Sequence, residues 1–302
     1  MGKLKATHGT YPAHSRADDE LKSYRWCLSN KIVIGPAPLW KENWGKWTVE
    51  ITINGKKHTD PNKYEIDSIM HKVYEYCDYY YINIKKMENR FKTANEAFKH
   101  YKWKIPELGI DFDNTKALFN IGFYLEKPMS NLIEDQDRNW KWDYAAAEWQ
   151  WYLSGDNNIN KLGELYGKVP EIWKRMADKE GFVNSNYGWQ WKRSSQLAEV
   201  IYKLQSNPNT RQAAISIYDA KEMYMYDNDT PCTYAVQFTI FKGKLDMCVT
   251  MRANDLWYGF CNDQYCFSKL QELVAVEVGV EIGEYYHFAH NLHLYNNIIE
   301  KL

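Results

Sequence analysis

Hydrophobic and polar positions alternate along two neighbouring runs, Tyr234–Phe241 and Leu245–Arg252, joined by Lys242-Gly243-Lys244. That pattern predicts a β-hairpin. A shorter alternation over Trp47–Ile53, followed by Asn54-Gly55, predicts a second hairpin near 47–58. From Tyr64 to about Lys104 the period changes: Ile66, Met70, Val73, Cys77 and Tyr80 recur at helical spacing, and Pro106 closes the region. The tyrosines at 79–81 read as helix packing. Phe119–Leu125 reads as a strand ended by Lys127-Pro128, and Asp143–Leu153 as a helix stopped by Gly155. Val169–Ala177 is a short predicted helix begun by Pro170, and Asn184–Trp191 reads as a loop. Ser195–Gln205 is a predicted helix, followed by a turn at Asn207–Thr210 and a strand at Ala213–Tyr218. Asp263–Val278 places Phe267, Leu270, Leu273, Val274 and Val278 on one helical face closed by Gly279, and Tyr285–Tyr295 is the last strand. Residues 1–30 are charged and weakly patterned, which predicts a partly ordered arm. No repeat or linker divides the chain, so the pattern predicts one α/β domain with helical decoration.

Composition narrows the function. The 302 residues carry 38 Lys and Arg against 39 Asp and Glu, a net charge of −1, which gives no footprint for general nucleic-acid binding. The 13 Trp and 24 Tyr predict a bulky core with amphipathic edges. The six cysteines form no C-x-x-C pair, and Met1–Glu20 has no apolar run of a secretory signal. Reduced thiols and a cytoplasmic location are expected. No stretch has the apolar length of a membrane span.

Candidate chemistry gathers at the central hairpin. In an antiparallel pair the start of one strand lies beside the end of the next, so Cys232, straight after Pro231, is brought close to Arg252. A guanidinium beside a thiol favours the thiolate, so a lowered Cys232 pKa is expected. Glu148 lies mid-helix with Tyr144, Trp151 and Tyr152 on its side, which predicts a buried carboxyl of raised pKa. The spacing His287-x-x-His290-x-x-His293 suggests a metal, but strand alternation puts His287 and His293 on one face and His290 on the other. No metal is expected. No dinucleotide, triphosphate or serine-hydrolase motif is present.

The blocks T-P-C-T-Y-A-V-Q-F, M-R-A-N-D-L-W-Y-G-F-C-N-D and N-L-H-L-Y, with A-E-W-Q-W-Y-L-S-G-D and N-S-N-Y-G-W upstream, resemble the thymidylate synthase superfamily. Within it they look most like the pyrimidine-nucleotide hydroxymethylases of phage. The resemblance spans roughly Phe119 to Tyr295, so residues 119–302 are expected to form the catalytic core and residues 1–118 an extension. It implies a large twisted mixed sheet flanked by helices, a homodimer, and a pyrimidine nucleoside monophosphate as substrate with methylenetetrahydrofolate as co-substrate. It also implies that Cys232 attacks carbon-6 of the pyrimidine, making carbon-5 nucleophilic. Glu148 falls on the family's catalytic glutamate and Tyr187 on a tyrosine near its water. Arg252 matches a phosphate ligand, and Arg211 one donated by the other subunit. Asn262 is expected among the substrate contacts, His293 and Tyr295 match the pair on the sugar 3′-hydroxyl, and Trp173, Asp255 and Gly259 match folate contacts.

Two positions separate the branches. Asp263 stands where thymidylate synthases place an asparagine that reads uracil. A carboxylic acid offers an O–H to ring nitrogen 3 of cytosine and an acceptor to its amino group. Thr233 stands where those enzymes place histidine. Both imply cytidylate hydroxymethylation, with thymidylate synthesis and a non-catalytic nucleotide- or RNA-binding relative as the alternatives. Gln212 replaces a second phosphate arginine, and Ala253 replaces a serine, which makes room for a ribonucleotide. The short reach beyond Tyr295 leaves Leu302 or the N-terminal extension to cover the folate.

Overall fold

A computed structural model describes residues 18–40, 45–53, 55–219 and 228–302. The chain forms two compact units, residues 1–88 and 89–302. In the first unit, strands β1 (Ile32–Pro38), β2 (Lys46–Ile53), β3 (Lys56–Thr59) and β4 (Tyr64–Glu65) form an antiparallel sheet in which β2 pairs with the other three. Helices α1 (Asp18–Ser29) and α2 (Ile66–Glu88) share a core with it that includes Cys27, Ile34, Val49, Ile51 and Val73. The hairpin expected near 47–58 is β2–β3, although Asn54 lies outside the described residues. Residues 1–17 of the expected arm lie outside them too. Residues 18–29 are helical instead, because Tyr24 and Trp26 meet Tyr74 and Tyr81 of α2. Tyr80 packs likewise, whereas Tyr79 is 59% exposed.

The second unit opens with β5 (Arg90–Phe91), α3 (Ala94–Leu108), β6 (Ile110–Phe112) and β7 (Thr115–Leu125). The helical pattern expected to run from 64 to 104 is broken here, because Thr93 caps a new helix by accepting from Glu96 N at 3.2 Å. Pro106 lies inside the last turn of α3. Residues 89–118 fall in the same compact unit as residues 119–302.

Helices α4 (Trp142–Ser154), α5 (Ile159–Tyr166), α6 (Glu171–Met176), α7 (Tyr187–Lys192) and α8 (Gln196–Ser206) follow, then β8 (Ala214–Ser216), β9 (Thr233–Phe241) and β10 (Lys244–Met251). After the two-residue β11 (Asn254–Asp255) come a π-helical turn (Leu256–Phe260), α9 (Cys261–Val278), β12 (Glu281–Tyr295) and α10 (Asn296–Ile299). The sheet order is β5-β7-β12-β10-β9-β8, with β6 on β7 and β11 on β12. The β10–β12 pair is parallel and β9–β10 antiparallel, so the sheet is mixed. Leu245, Met247, Val249 and Met251 of β10 are buried, while Asp246, Cys248 and Thr250 are half-buried, so one face carries the core. Phe267, Leu270 and Val274 of α9 are buried in that core. Among the described residues no helix is long and apolar enough to cross a membrane.

Residues 184–191, expected as a loop, hold helix α7. Asn186 caps it by accepting from Trp189 N at 2.7 Å, and Tyr187, Gln190 and Trp191 are buried by contacts distant in sequence. Gly188 is required, because a Cβ there would overlap the Tyr152 main chain of α4. Gly188→Ala should therefore cost at least ~3 kcal/mol of stability, beyond ordinary overpacking, because a backbone carbonyl cannot swing aside. A urea midpoint equal to that of the parent chain would refute this.

Candidate active site

The hairpin turns on Lys242 and Gly243, both at positive φ (51° and 78°), with Lys244 already paired to Phe241. At the other end the register slips: Thr250 faces Ala235 but Met251 faces Thr233, so Tyr234 is an extra residue on β9. A bulge there re-aims the chain beside it. Arg252 N donates to Cys232 O at 2.7 Å, which joins the two residues as expected. The guanidinium, however, donates from Nε to Pro231 O at 3.1 Å and from Nη2 to Thr230 O at 2.9 Å.

The expected lowering of the Cys232 pKa is overturned. Burial pushes the thiol up to about 11; Arg252 opposes this, and Asp263, Asp229 and Asp255 reinforce it. Desolvation wins because the cation is tied to main-chain carbonyls while the charges of three carboxyls act against the thiolate. In the resting protein the thiol is neutral.

Glu148 is 4% exposed, as its helical neighbours predict. Its Oε1 accepts from the Tyr152 hydroxyl at 3.0 Å, and its Oε2 is buried with no partner among the described residues. Burial first, then the Asp263 charge, pushes its pKa up to about 8. Asp263 opens α9; its pKa is pushed up to about 7 by burial, against the Asn254 hydrogen bond. Asp263 keeps some contact with solvent, but the protein packed around the carboxyl dominates. Asp263 thus lies within electrostatic reach of both Cys232 and Glu148.

These shifts set a pH dependence. Both carboxyls bind protons more tightly folded than unfolded. Their stabilising contribution is complete below their ordinary values of 4.5 for Glu148 and 3.8 for Asp263, and is lost as pH rises through about 8 and about 7 respectively. Urea midpoints should fall between about pH 5 and about pH 8, and Glu148→Gln should flatten that fall. An unchanged slope would remove Glu148 as its source.

Tyr187 is buried, with Cys232, Asp263 and the Thr233 hydroxyl as its polar neighbours. His293 and Tyr295 stack edge-on at 5.6 Å; His293 senses Arg252, and Tyr295 senses Cys232 and Asp255. Asp255 Oδ1 accepts from Trp257 N at 2.8 Å and Tyr258 N at 3.3 Å, and burial raises its pKa to about 6. Gly259 sits where a Cβ would lie 3.2 Å from both Asn254 Nδ2 and Asp263 Oδ2.

Other expected residues make contacts of their own. Asn262 Oδ1 accepts from Trp140 Nε1 at 2.8 Å and its Nδ2 donates to Tyr258 O at 3.2 Å. Trp173 is buried and donates from Nε1 to the Tyr144 hydroxyl at 2.7 Å. Arg211 and Gln212 are exposed before β8, and Arg211 forms no ion pair with a described residue. Ala253 is half-buried, and Leu302 packs against the core.

The burial alternation of β12 changes phase: Tyr285, His287 and Ala289 are buried, then Leu292 and Leu294. Opposite the slip, Asn120 of β7 has φ 56°. His287 is therefore fully buried and His293 only half, where strict alternation would match them. Among the described residues no three His, Cys, Asp or Glu side chains are grouped to hold a metal. Asp229 was not expected: Oδ2 accepts from Ser185 N at 2.8 Å, tying the approach to Cys232 to the segment before α7. Only its place within a polar N-D-T run hinted at a turn. Asn254 was missed as well.

A sequence model of the thymidylate synthase family matches residues 114–302. The deoxyuridylate hydroxymethyltransferase of Bacillus phage SP01 is 32% identical over 172 residues, covering 50% of this chain and 43% of that protein. Thymidylate synthase of Fusobacterium nucleatum is 33% identical over 162 residues, covering 51% of this chain and 56% of the relative. That of Francisella philomiragia is 31% identical over 175 residues, covering 52% and 63%. The chain therefore spans less than two thirds of the length of each of these relatives. With well over half of its residues matched, the chain belongs to the thymidylate synthase family.

Proposed function

We propose that the protein is a cytidylate 5-hydroxymethyltransferase, which joins a one-carbon unit from methylenetetrahydrofolate and a water to carbon-5 of dCMP or CMP. The observation that carries the reading is Asp263, a carboxyl titrating near neutrality within reach of the Cys232 thiol. A neutral acid there donates to ring nitrogen 3 and accepts from the amino group of cytosine.

Cys232 Sγ adds to carbon-6 and loses its proton as the bond forms, since the free thiol is neutral. Glu148 Oε2, with no hydrogen-bond partner among the described residues, accepts from a water or the base edge, and Tyr187 lies within electrostatic reach of Cys232 and Asp263. Methylenetetrahydrofolate supplies a one-carbon unit at the oxidation level of formaldehyde. Carbon-5 takes that unit, its proton passes to the water at Glu148, and the bond to the folate nitrogen breaks to release tetrahydrofolate and leave an exocyclic methylene. Water adds to that carbon, and the carbon-6–sulfur bond then breaks to free 5-hydroxymethylcytidylate and restore the Cys232 thiol. Asp255 Oδ2 takes no hydrogen bond from a described residue and fits a pterin N–H, with Gly259 beside it. Trp173 serves this site through Tyr144. The name of the phage relative supports hydroxymethylation as the outcome, on deoxyuridylate in that protein.

Phosphate binding falls to Arg252 and, across a homodimer, to Arg211, whose exposure in a single chain fits donation to a partner. The outer sheet face carries Phe119, Tyr124 and Tyr286, with the last two rings 4.6 Å apart, and suits that dimer. His293 and Tyr295 bind the sugar. Ala253, without a hydroxyl, admits a ribose.

The test is product mass after incubation with methylenetetrahydrofolate and dCMP, CMP or dUMP. A hydroxymethylated cytidylate is expected. Dihydrofolate formation with dUMP alone would establish thymidylate synthesis instead, the second reading that the two bacterial relatives favour.

A further inference from the structure

Asp263 is the end of a buried chain of hydrogen bonds. Asn254 Nδ2 donates to Asp263 Oδ2 at 2.8 Å, Asn254 Oδ1 lies 3.1 Å from His287 Nε2, and His287 Nδ1 lies 2.9 Å from the Tyr285 hydroxyl. Asn254, His287 and Tyr285 are no more than 2% exposed. An amide, a neutral imidazole and a phenol each have a donor side and an acceptor side, so one orientation dictates the rest. With Nδ2 toward Asp263, Asn254 Oδ1 accepts from His287 Nε2–H, and Nδ1 accepts from Tyr285 O–H. Burial keeps the imidazole neutral, its pKa pushed down to about 3, so it carries a single proton. Reversing the chain would turn three buried groups at once.

This direction matters because a carboxylic acid alone does not choose between pyrimidines. With its proton on one oxygen it complements cytosine, and with the proton on the other it complements uracil. We infer that Tyr285, His287 and Asn254 form a positioning relay that delivers a hydrogen bond to Asp263 Oδ2, confines the acid proton to Oδ1, and so selects cytosine over uracil. Oδ1 takes no hydrogen bond from a described residue and is left to donate to ring nitrogen 3. Oδ2, barred from the proton, keeps a second lone pair for the amino group. At Gly259 any side chain would press on this N–H···O contact from 3.2 Å. The pattern H-x-x-H-x-x-H thus acquires a use for His287 that involves no metal.

The inference rests on the cytidylate reading, and the test separates the two. Calorimetric titration of the full chain with dCMP and with dUMP gives a ratio of dissociation constants. A general structural lesion weakens both ligands and leaves that ratio alone. His287→Leu, which removes the donor to Asn254, should erode the preference for dCMP by about tenfold or more. His287→Gln, whose amide can donate to Asn254 Oδ1, should hold the ratio to within about threefold of the parent. Tyr285→Phe removes one hydroxyl and should give an intermediate loss; it carries the test if His287→Leu does not fold. A parent-like ratio in His287→Leu and Tyr285→Phe, or a loss in His287→Gln equal to that in His287→Leu, would overturn the relay. A parent chain that prefers dUMP would overturn the cytidylate reading and the selection of cytosine with it, whereas a parent that prefers dCMP with an unmoved ratio in the variants would overturn the relay alone.

Discussion

Replacing Cys232 with alanine is expected to lower turnover by at least about 10⁴-fold while leaving cytidylate binding within about threefold of the parent. The sulfur supplies the one covalent bond on which the proposed route depends, and no other described side chain near it can take over. Tyr187 is buried with its pKa held well above the ordinary value, Thr233 offers only a neutral hydroxyl, and the neighbouring carboxyls are weak nucleophiles toward a pyrimidine. Cys232→Ser should be nearly as poor, since a buried serine hydroxyl in the field of Asp263, Asp229 and Asp255 is harder still to ionise than the thiol. Release of tritium from carbon-5 of labelled dCMP measures the loss, and calorimetry measures binding. If binding disappears along with turnover, the cysteine is holding the fold of the bulge and not performing chemistry.

The second large effect is at Asp263. Asp263→Asn should lower kcat/KM for dCMP by about 10³-fold and raise binding of dUMP, because an amide opposes the donor and acceptor pattern of cytosine and matches that of uracil. The fall should lie mainly in kcat if the acid shares its proton with ring nitrogen 3 during thiol addition, since an amide has no such proton to share. The variant also removes a carboxyl whose pKa is raised to about 7, so it should lose less stability than the parent as pH rises through neutrality. An unchanged preference for dCMP would detach base choice from this residue.

Much of this was legible in the residues. Alternation with period two located β9 and β10, and Lys242-Gly243 located their turn, because a two-residue hairpin loop needs positive φ. Gly155 and Gly279 end α4 and α9 in the left-handed conformation for the same local reason. Glu148 could be read as buried from its helical neighbours alone. Helix α7 could not, because the burial of Tyr187 and Trp191 comes from elements distant in sequence.

What the sequence determined by itself was therefore the set of elements and the presence of Cys232, Glu148, Arg252 and Asp263 in one family pattern, since propensity, period and motif are properties of neighbours along the chain. The tertiary structure decided the electrostatics. Whether Arg252 lowers the Cys232 pKa depends on how much water the fold removes and where the guanidinium is tethered, and burial reversed the expectation. It also decided that Asn254 and His287, 33 residues apart, would meet behind Asp263. Desolvation and hydrogen-bond direction are sums over everything packed around a group, and only the folded chain supplies that sum.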